Sequence, residues 1–314
     1  KNNLDLNNKT VLITGGTGSL GKALTSHILK NHIGIKKLVI LSRDEQKQFQ
    51  MAQEFPENKY PQIRYFLGDV RDQDRLVRAF QGIDVVIHAA AMSKPDVCDI
   101  EREKCILNNV FATENLVKAA NAVAAKVIYV STDFVFGEGG PHAEIDVPAP
   151  LNFYGKSKLL AEQIVQSNSL DNAIMRPVFI YGQLRPGMKP TFLHWVKNNL
   201  SQGKKIKVVS DQFRNPTYVK DLCKGIAAMI QKNVTGIYHL AGSEIISPYQ
   251  MAVTVADILN LDKDLIENVT SETFHEPIVR AKKSGLIFAK AQLELGYQPI
   301  SFTEGVRLSF SDVN

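Results

Sequence analysis

Short apolar runs alternate with stretches of helical periodicity over the first 180 residues of the chain. The helical stretches, such as SLGKALTSHILKN, repeat their apolar positions every three to four residues. Six runs separate them: TVLITGG, KKLVILSRD, IRYFLGDV, DVVIHAAA, AKVIYVSTD and NAIMRPVFIYG. Strands that are apolar on both faces and alternate with helices are typical of a parallel sheet covered on both sides. We therefore predict a doubly wound, Rossmann-type α/β fold with its ligand crevice at the carboxyl ends of the strands.

The alternation becomes looser after residue 181, where a Pro/Gly-rich loop, LRPGMKP, interrupts it. Beyond that loop we identify a helix, TFLHWVKNNLSQGKK, a strand, GIYHLAG, and a second helix, PYQMAVTVADILNL, followed by irregular sequence. Trp195 lies in the first of these helices, where its position in the helical pattern predicts core packing. We predict a Rossmann domain over residues 8–181 and a smaller C-terminal substrate-binding lobe over residues 182–314, with segments of the lobe returning to the sheet.

The composition indicates a protein with a sizeable core, since 44% of its 314 residues are hydrophobic. No apolar run approaches the ~18–20 residues that span a bilayer, and KNNLDLNNKT lacks the apolar region of a signal peptide. Cys98, Cys105 and Cys223 show no metal-ligand spacing, and neither do the seven histidines. We expect a cytoplasmic protein with reduced thiols, no metal and no membrane contact. Its net charge of +5 is spread along the chain and does not indicate a nucleic-acid partner.

Three glycines stand three residues apart, directly after the first predicted strand and at the start of the first helix. Glycines at this place permit a tight turn and a close approach of the backbone, and the helix N-terminus attracts a diphosphate. In this strand–turn–helix context they predict a dinucleotide-binding loop. The predicted contacts in the loop are Gly15, Thr17, Gly18, Ser19, Leu20 and Gly21.

The end of the second predicted strand distinguishes between the two nicotinamide dinucleotides. An acid at this end would bind a free adenosine ribose, whereas an arginine accommodates a 2′-phosphate. Here Ser42 and Arg43 come first, and Asp44 follows them. We predict that Ser42 and Arg43 contact NADP(H), with NAD(H) as the alternative, and that Asp44 caps the second helix.

Further small and polar residues follow the other predicted strands. Because the carboxyl ends of parallel strands meet at one edge of a sheet, residues at these ends can border a bound dinucleotide. Small residues also suit the packing of a helix on a sheet, which is the alternative interpretation for the alanines. The additional predicted cofactor contacts are Asp69, Val70, Ala89, Ala90, Ala91, Val130, Arg176 and Pro177.

Tyr154 and Lys158 stand four residues apart at the start of a predicted helix, so their side chains share one face. A phenol with a pKa of ~10 is a poor acid–base group at neutral pH until a nearby cation stabilises its anion. The Lys158 ammonium is such a cation, and it can also bind the ribose of the nicotinamide. We predict that both residues are catalytic and that both contact the cofactor.

Several of these motifs together resemble the extended short-chain dehydrogenase/reductase superfamily: TGGTGSLG, HAAA, NNVFATENLVKAA, STDFVFG, YGKSKLLAE and RPVFIYG. The N-terminal third, with SRDEQKQFQM and GDVRD, is similar to nucleotide-sugar 4,6-dehydratases. The C-terminal two-thirds, from STDFVFGEGGPHAEIDVPAPLNFYGKSKLLAE to DQFRNPTYVKDL, resembles dTDP-4-dehydrorhamnose reductases and the regulatory subunit of methionine adenosyltransferase. The resemblance implies that the Thr132 hydroxyl acts on a substrate carbonyl together with Tyr154 and Lys158. It also implies that Asn109, in the motif N-V-x-G-T with Ala112 in place of glycine, contacts the cofactor.

The residue after Asp133 bears on the reaction. In the similar dehydratases an Asp after the Ser/Thr pair is followed by Glu or Lys, and these two residues eliminate water. Here Asp133 is a candidate to assist, but it is followed by Phe134, which can neither donate nor accept a proton. Reduction of a carbonyl needs only a hydride, the proton of Tyr154 and a hydrogen bond from Thr132. The sequence therefore favours simple reduction.

We predict NADPH-dependent reduction of the 4-keto group of a nucleotide-linked deoxysugar, for polysaccharide or surface-sugar synthesis. An epimerase or 4,6-dehydratase of the same superfamily is the first alternative, and a non-catalytic NADP-binding regulatory subunit is the second. A homodimer is common in the superfamily that the chain resembles. The predicted contacts to the nucleotide sugar are Met92, Lys94, Phe134, Val135, Phe136 and Arg214.

Overall fold

The computed structural model describes residues 6–311, so the first five and last three residues of the sequence lie outside it. The strands are β1 (Thr10–Thr14), β2 (Lys37–Ser42), β3 (Ile63–Leu67), β4 (Val85–His88), β5 (Lys126–Val130), β6 (Asn172–Pro177), β7 (Ile180–Tyr181), β8 (Ile206–Val209), β9 (Thr217–Tyr218), β10 (Gly236–Leu240) and β11 (Ile266–Val269). The helices are α1 (Ser19–Asn31), α2 (Glu45–Glu54), α3 (Gln73–Ala79), α4 (Pro95–Ile100), α5 (Arg102–Ile106), α6 (Ala112–Ala122), α7 (Phe153–Asn168), α8 (Phe192–Ser201), α9 (Val219–Gln231), α10 (Pro248–Leu259), α11 (Ala289–Leu295) and α12 (Phe302–Phe310). A π-helical turn (Leu107–Phe111) joins α5 to α6, and a 3₁₀ turn (Asp133–Val135) follows β5.

Seven strands form one parallel sheet in the order β10-β6-β5-β4-β1-β2-β3. This confirms the predicted doubly wound α/β fold. The order reverses beside β1, and a crevice therefore opens between the carboxyl ends of β1 and β4. Strand β10 comes from the C-terminal part of the chain and completes the edge of the sheet next to β6.

The strands are buried because both of their faces are covered by helices. In β1, Val11 and Ile13 belong to the apolar cluster beneath α1 and α9, while Leu12 between them belongs to the cluster beneath α3, α6 and α7. This alternation with a period of two residues is what a strand between two helical layers requires. The sequence run TVLIT, apolar on both faces, therefore places the glycine loop that follows it at a fixed point of the sheet edge.

The remaining C-terminal elements build a second core beside the sheet. Helices α8, α10 and α12 pack around the two-stranded sheet of β8 and β11, with Val196, Val255 and Val306 fully buried among them. A second pair, β7 with β9, joins the chain that leaves β6 to the chain that enters α9.

Two expectations for this part of the chain are wrong, and one helix is not among the predicted elements. The sequence after α10 is not irregular, since β11, α11 and α12 form there. Helix α11 is short and ends at Gly296 with φ of +69°, so it offers little periodic signal. The sequence VKDLCKGIAAMIQ, passed over in the pattern, forms the long helix α9. Trp195 is 42% exposed and stacks on Phe192 at the surface instead of packing in the core.

Within residues 6–311, no helix is both long and apolar enough to cross a membrane. The same residues contain no cluster of three histidine, cysteine or acidic side chains arranged to hold a metal ion. Cys98 and Cys105 are buried in one cluster with Tyr154, on two short helices that Glu101 separates. All three cysteines are free thiols.

Candidate active site

A crevice of about 910 Å³ opens at the carboxyl edge of the sheet. Its walls come from the glycine loop, the ends of β2 to β5, the first turn of α7, the chain after β6, and Arg214 and Arg280 from the C-terminal part. The structure therefore brings together most of the predicted cofactor contacts, because parallel strands deliver their carboxyl ends to one edge. The predicted residues that line the crevice are Gly15, Thr17, Gly18, Ser19, Leu20, Gly21, Ser42, Arg43, Asp69, Val70, Ala89, Ala90, Ala91, Lys94, Val130, Thr132, Asp133, Phe134, Tyr154, Lys158, Pro177 and Arg214.

The glycine loop is packed so closely that side chains do not fit. Gly15 has φ of +62°, and a Cβ atom there would lie 2.9 Å from the backbone of Ala90. A Cβ atom on Gly21 would lie 2.4 Å from the Gly16 carbonyl oxygen. Gly18 caps α1 without a side-chain hydrogen bond, and the first turn of α1 has no acidic residue. The helix N-terminus thus keeps its backbone donors and its positive end for an anion in the crevice.

The end of β2 presents a cation. Arg43 has a 59% exposed side chain, lies 4.0 Å from an Asp69 carboxylate oxygen, and donates a long hydrogen bond (3.5 Å) to the Asn108 side chain. Asp69 is bound mainly by Arg71, at 2.6 Å, and the hydrogen bond from Arg71 lowers the pKa of the Asp69 carboxyl. Because Asp69 is already paired, the exposed Arg43 guanidinium remains available to a phosphate.

Asp44 performs the capping role predicted for it. Its carboxylate accepts a hydrogen bond of 3.0 Å from the Lys47 backbone N–H, which caps α2. The Ser42 hydroxyl accepts the Asp44 backbone N–H at 3.2 Å and shares a hydrogen bond of 3.1 Å with Thr17. The acid at the end of β2 therefore serves as a helix cap, and the residue directly before it is the exposed Arg43.

Tyr154 lies in the first turn of α7, where the Asn152 side chain caps the helix. Burial raises the pKa of its phenol above the usual value; a hydrogen bond with Thr132 opposes this rise, and the Asp133 carboxylate adds to it. The Arg214 cation acts in the opposite sense and lowers the pKa of Tyr154, but its effect is smaller than that of burial. A phenol that keeps its proton at neutral pH is suited to donate that proton.

Lys158 lies one turn further along α7 and also lines the crevice. Its ammonium donates a hydrogen bond of 2.8 Å to the Val130 carbonyl and lies 4.5 Å from the centroid of the Tyr129 ring. Burial lowers the pKa of Lys158 to about 8, although the buried Glu162 carboxylate opposes this. The remaining donors of the ammonium are available to a hydroxyl in the crevice.

Asp133 follows Thr132 at the end of β5 and is 4% exposed. Both of its carboxylate oxygens lie 2.9 Å from one nitrogen of the Arg214 guanidinium, and one accepts the Thr132 hydroxyl at 3.3 Å. The Thr132 oxygen in turn accepts the Phe134 backbone N–H at 3.2 Å. Asp133 is thus engaged as an ion-pair partner, which leaves Tyr154 and Thr132 as the proton-bearing groups beside it.

The Phe134 ring contacts Tyr154 and lies close to two cations. Its centroid is 5.5 Å from that of Tyr154 in an edge-to-face arrangement. The guanidinium carbons of Arg214 and Arg280 lie 5.0 and 5.6 Å from the same centroid. Phe134 therefore supplies an apolar wall that holds Tyr154 in place and brings two positive charges to the crevice.

Two of the predicted cofactor contacts, Arg176 and Asn109, do not line the crevice. Arg176 is 2% exposed and pairs with Glu162 at 2.7 Å, on the face of the sheet that α7 covers. Asn109 is 1% exposed, and its side-chain amide bonds the backbone of Met92 and the hydroxyl of Ser157. Asn109 thus fixes the loop after β4 to α7, where it supports residues that do line the crevice.

Three predicted substrate contacts are also placed elsewhere. Met92 packs in the cluster of Cys98 and Cys105 and does not line the crevice. Val135 is fully buried in another cluster. Phe136 stacks on His142 and borders only a small adjoining pocket. The 3₁₀ turn that starts at Asp133 rotates successive side chains, so that only Phe134 of the three aromatic and apolar residues reaches the crevice.

Replacing Arg176 by Met is expected to lower the free energy of unfolding by about 3–5 kcal/mol, because the Glu162 carboxylate would stay buried without its partner. Denaturant unfolding of the protein measures this, and the double variant R176M/E162Q, which removes both charges, should be more stable than R176M. A cofactor-binding role would instead show as weaker NADP⁺ binding by R176M with unchanged stability.

Other residues of the crevice were not identified from the sequence. Arg280, Lys47 and Asn108 line it, as do Phe179 and the segment 187–189. Arg280 and the segment 187–189 lie far along the chain from the dinucleotide motifs and reach the site only through the tertiary fold. Lys47 and Asn108 lie beside recognised motifs, and their polarity was the available signal.

Comparison with known proteins extends these observations. The family model described as RmlD substrate binding domain matches residues 9–314. Methionine adenosyltransferase 2 subunit beta from Pongo abelii is 31% identical over 289 residues, which is 89% of this chain and 80% of that protein. UDP-N-acetylglucosamine 4,6-dehydratase (inverting) from Campylobacter jejuni is 32% identical over 292 residues, 90% of this chain and 80% of that protein. The crystal structure of dTDP-4-dehydrorhamnose reductase from Bacillus anthracis in complex with NADP aligns with a TM-score of 0.81 and 27% identity, over 96% of this chain and 98% of that one.

Proposed function

We propose, from the premise that this chain belongs to the RmlD substrate-binding-domain family within the extended short-chain dehydrogenase/reductases, that it reduces the 4-keto group of a nucleotide-linked deoxysugar with NADPH. Such a reaction serves the synthesis of polysaccharide or surface sugars. The observation that carries the proposal is the pairing of Asp133 with Arg214, with Phe134 as the next residue. Elimination of water needs a free acid and base at this place, whereas reduction does not.

The crevice fits a nicotinamide dinucleotide. The closely packed glycines and the uncapped N-terminus of α1 suit its diphosphate, and the exposed Arg43 suits a 2′-phosphate. Lys158, with donors free of the Val130 carbonyl, suits the hydroxyls of the second ribose. When bound, this cofactor supplies the hydride for reduction of a carbonyl.

The protein's own groups complete the reduction. Tyr154, whose phenol carries its proton at neutral pH, donates that proton to the oxygen of the ketone. The Thr132 hydroxyl, which without substrate donates only a long hydrogen bond (3.3 Å) to Asp133, turns its proton to the same oxygen as negative charge develops there. The Lys158 ammonium favours the tyrosinate that remains after proton transfer, since its charge lies on the same face of α7.

The nucleotide diphosphate of the substrate is expected at the opposite end of the crevice. Lys94, Arg214 and Arg280 line this end, and Arg280 is 28% exposed although it pairs loosely with Asp96 at 3.7 Å and Glu276 at 3.2 Å. Arginine side chains bind phosphate oxygens in bidentate geometry. This supports an anionic substrate with its sugar directed toward Tyr154.

The proposal is tested by incubating the protein with NADPH and dTDP-4-keto-6-deoxyglucose. One NADPH consumed for each 4-hydroxy sugar formed supports the reductase. Isomerised sugar without net consumption of NADPH would support an epimerase. A 4-keto-6-deoxy product formed from UDP-N-acetylglucosamine with NADP⁺ would support a 4,6-dehydratase, such as the relative from Campylobacter jejuni. Tight NADP⁺ binding without turnover of any ketosugar would support a non-catalytic, regulatory role, the second alternative predicted from the sequence.

Replacing Arg43 by Ala is expected to weaken NADP⁺ binding by about 10–100-fold, because a charged hydrogen bond contributes about 1.5–3 kcal/mol. NAD⁺ has no 2′-phosphate, so its affinity should change little. Isothermal titration with both dinucleotides measures the difference. Arg78→Ala, which removes an exposed arginine of α3 remote from the crevice, is the matched control. An equal loss for both dinucleotides would contradict the 2′-phosphate contact.

A further inference from the structure

The segment Arg185–Lys189, here called the strap, lies between β7 and α8 in the chain. It contacts α1 and α2, the first two helices of the Rossmann domain. Lys22 of α1 donates a hydrogen bond of 2.6 Å from its ammonium to the Pro186 carbonyl. The Arg185 guanidinium pairs with the Glu54 carboxylate of α2 and lies 5.9 Å from the centroid of the Phe55 ring. Two separate contacts therefore hold the strap to α1 and α2, the helices that precede and follow β2 in the chain.

The backbone of the strap is in close contact with these helices. Gly187 has φ of +76°, and a Cβ atom there would lie 2.6 Å from the Gln50 side-chain oxygen and 3.5 Å from the Lys22 ammonium. A residue with a side chain would be strained at this φ and would have to displace the end of the Gln50 side chain. Glycine at this position thus lets the strap lie directly on α1 and α2.

Positive charge is concentrated where the strap meets the phosphate-binding loop. Lys22 is 2% exposed; burial lowers its pKa, Glu54 opposes this effect, and Arg185 and Lys47 add to it. Lys189 lines the crevice, and within residues 6–311 no carboxylate forms an ion pair with it. Lys47 lines the same crevice, so two lysine side chains offer positive charge to an anion there.

The strap also closes one side of the dinucleotide crevice. Gly187, Met188 and Lys189 line the same cavity as Gly18 and Ser19 of the phosphate-binding loop. Hydrogen bonds between Arg185 and Met188, 3.0 Å for the backbone and 3.3 Å to the thioether sulfur, keep the strap as one compact turn. A dinucleotide on the glycine loop would lie beneath this turn.

We propose that the strap is a cofactor-retaining element, in which Lys189 binds a phosphate of the dinucleotide and Lys22 anchors the turn that carries it. This inference rests on the dinucleotide site of the proposed function and is independent of which sugar is reduced. Lys22 acts through the strap, so it is a positioning residue, whereas Lys189 touches the ligand. The strap must open before the cofactor can leave, and its anchors therefore set the dissociation rate.

The test is the binding of NADP⁺ to the full chain, measured by isothermal titration and by stopped-flow displacement. Lys189→Gln is expected to raise the Kd about tenfold, with a weaker dependence of Kd on salt, because a charged phosphate contact is lost. Lys22→Met is expected to raise the dissociation rate about tenfold with a smaller effect on Kd, because the strap would open more often. Lys205→Gln, an exposed lysine of the same lobe outside the crevice, is the control and should match the wild type.

Dissociation rates and Kd values of Lys189→Gln that equal those of the wild type would overturn the inference. Lys189 is exposed, so this variant decides the question even if Lys22→Met, which alters a buried residue, fails to fold. A wild-type chain that binds no NADP⁺ would overturn the dinucleotide site itself. A wild-type chain that binds NADP⁺ but reduces no ketosugar would refute the proposed reaction and leave the strap intact.

Discussion

Replacing Tyr154 by Phe is expected to lower kcat for ketosugar reduction by about 10²–10⁴-fold, the contribution typical of a general acid, while NADP⁺ affinity stays unchanged. The substitution removes only the phenolic oxygen. The ring that packs edge-to-face on Phe134 remains, so the crevice keeps its shape. Steady-state turnover and NADP⁺ titration on the same preparation separate the two effects.

Tyr218→Phe is the matched control for Tyr154→Phe. Tyr218 is 3% exposed in the core of the C-terminal lobe, and its hydroxyl has no hydrogen-bond partner among the described residues. Its removal should leave turnover unchanged. If Tyr154→Phe also retained full turnover, another group would have to protonate the ketone oxygen, and the proposed acid would be refuted.

Replacing Lys158 by Met is expected to lower kcat/KM for NADPH by more than about 100-fold, because the ribose contact and the stabilising charge beside Tyr154 are lost together. Lys158→Met keeps the apolar stem of the buried side chain and so limits the damage to packing. Lys156→Met removes an exposed lysine from the same helix and should have little effect.

The pH dependence of kcat/KM for NADPH tests independently whether the charge of Lys158 is required. Burial lowers the pKa of Lys158 to about 8, so its side chain is charged below this pH and neutral above it. If the charge is required, kcat/KM for NADPH, which reports the free protein, should fall as the pH rises through about 8. Tyr154 does not produce this fall, since burial raises its pKa above the usual value. Lys158→Arg, which stays charged, should move the fall to higher pH; a fall that does not move would belong to another group.

The dinucleotide half of the fold was predictable because its signals are local. The first strand is fixed by a run of apolar residues, and the glycine loop follows from the requirement for a positive φ at Gly15. The helix predicted as SLGKALTSHILKN begins at Ser19 and ends at Asn31, as in the structure. The motifs also gave the superfamily correctly, which the match over residues 9–314 confirms.

Side-chain direction at strand ends was not predictable in the same way. Arg176 lies near the carboxyl end of β6, where cofactor contacts are common. It points to the same face as Ile174, toward α7, because successive strand residues alternate between faces. The buried Glu162 of α7 is its partner, and no signal in the sequence links these two residues.

Contacts between segments that are distant in sequence account for the remaining differences between the predicted site and the structure. Arg214 and Arg280 come from separate parts of the C-terminal half and meet at Phe134. The pairing of Arg214 with Asp133 engages both oxygens of that carboxylate, a contact that the sequence did not indicate. Only the folded chain shows this, because the ion pair depends on how the C-terminal lobe packs against β5.

The central claim, transfer of a hydride from NADPH to C4 of a ketosugar, is tested most directly by following the label from deuterated NADPH. The reaction is run with [4-²H]NADPH of either face and dTDP-4-keto-6-deoxyglucose, and the sugar product is analysed by NMR. We expect one deuterium at C4 from one of the two NADPH forms, and no exchange at C5 when the reaction is repeated in D₂O. A sugar with solvent deuterium at C5 and none from NADPH would contradict simple reduction.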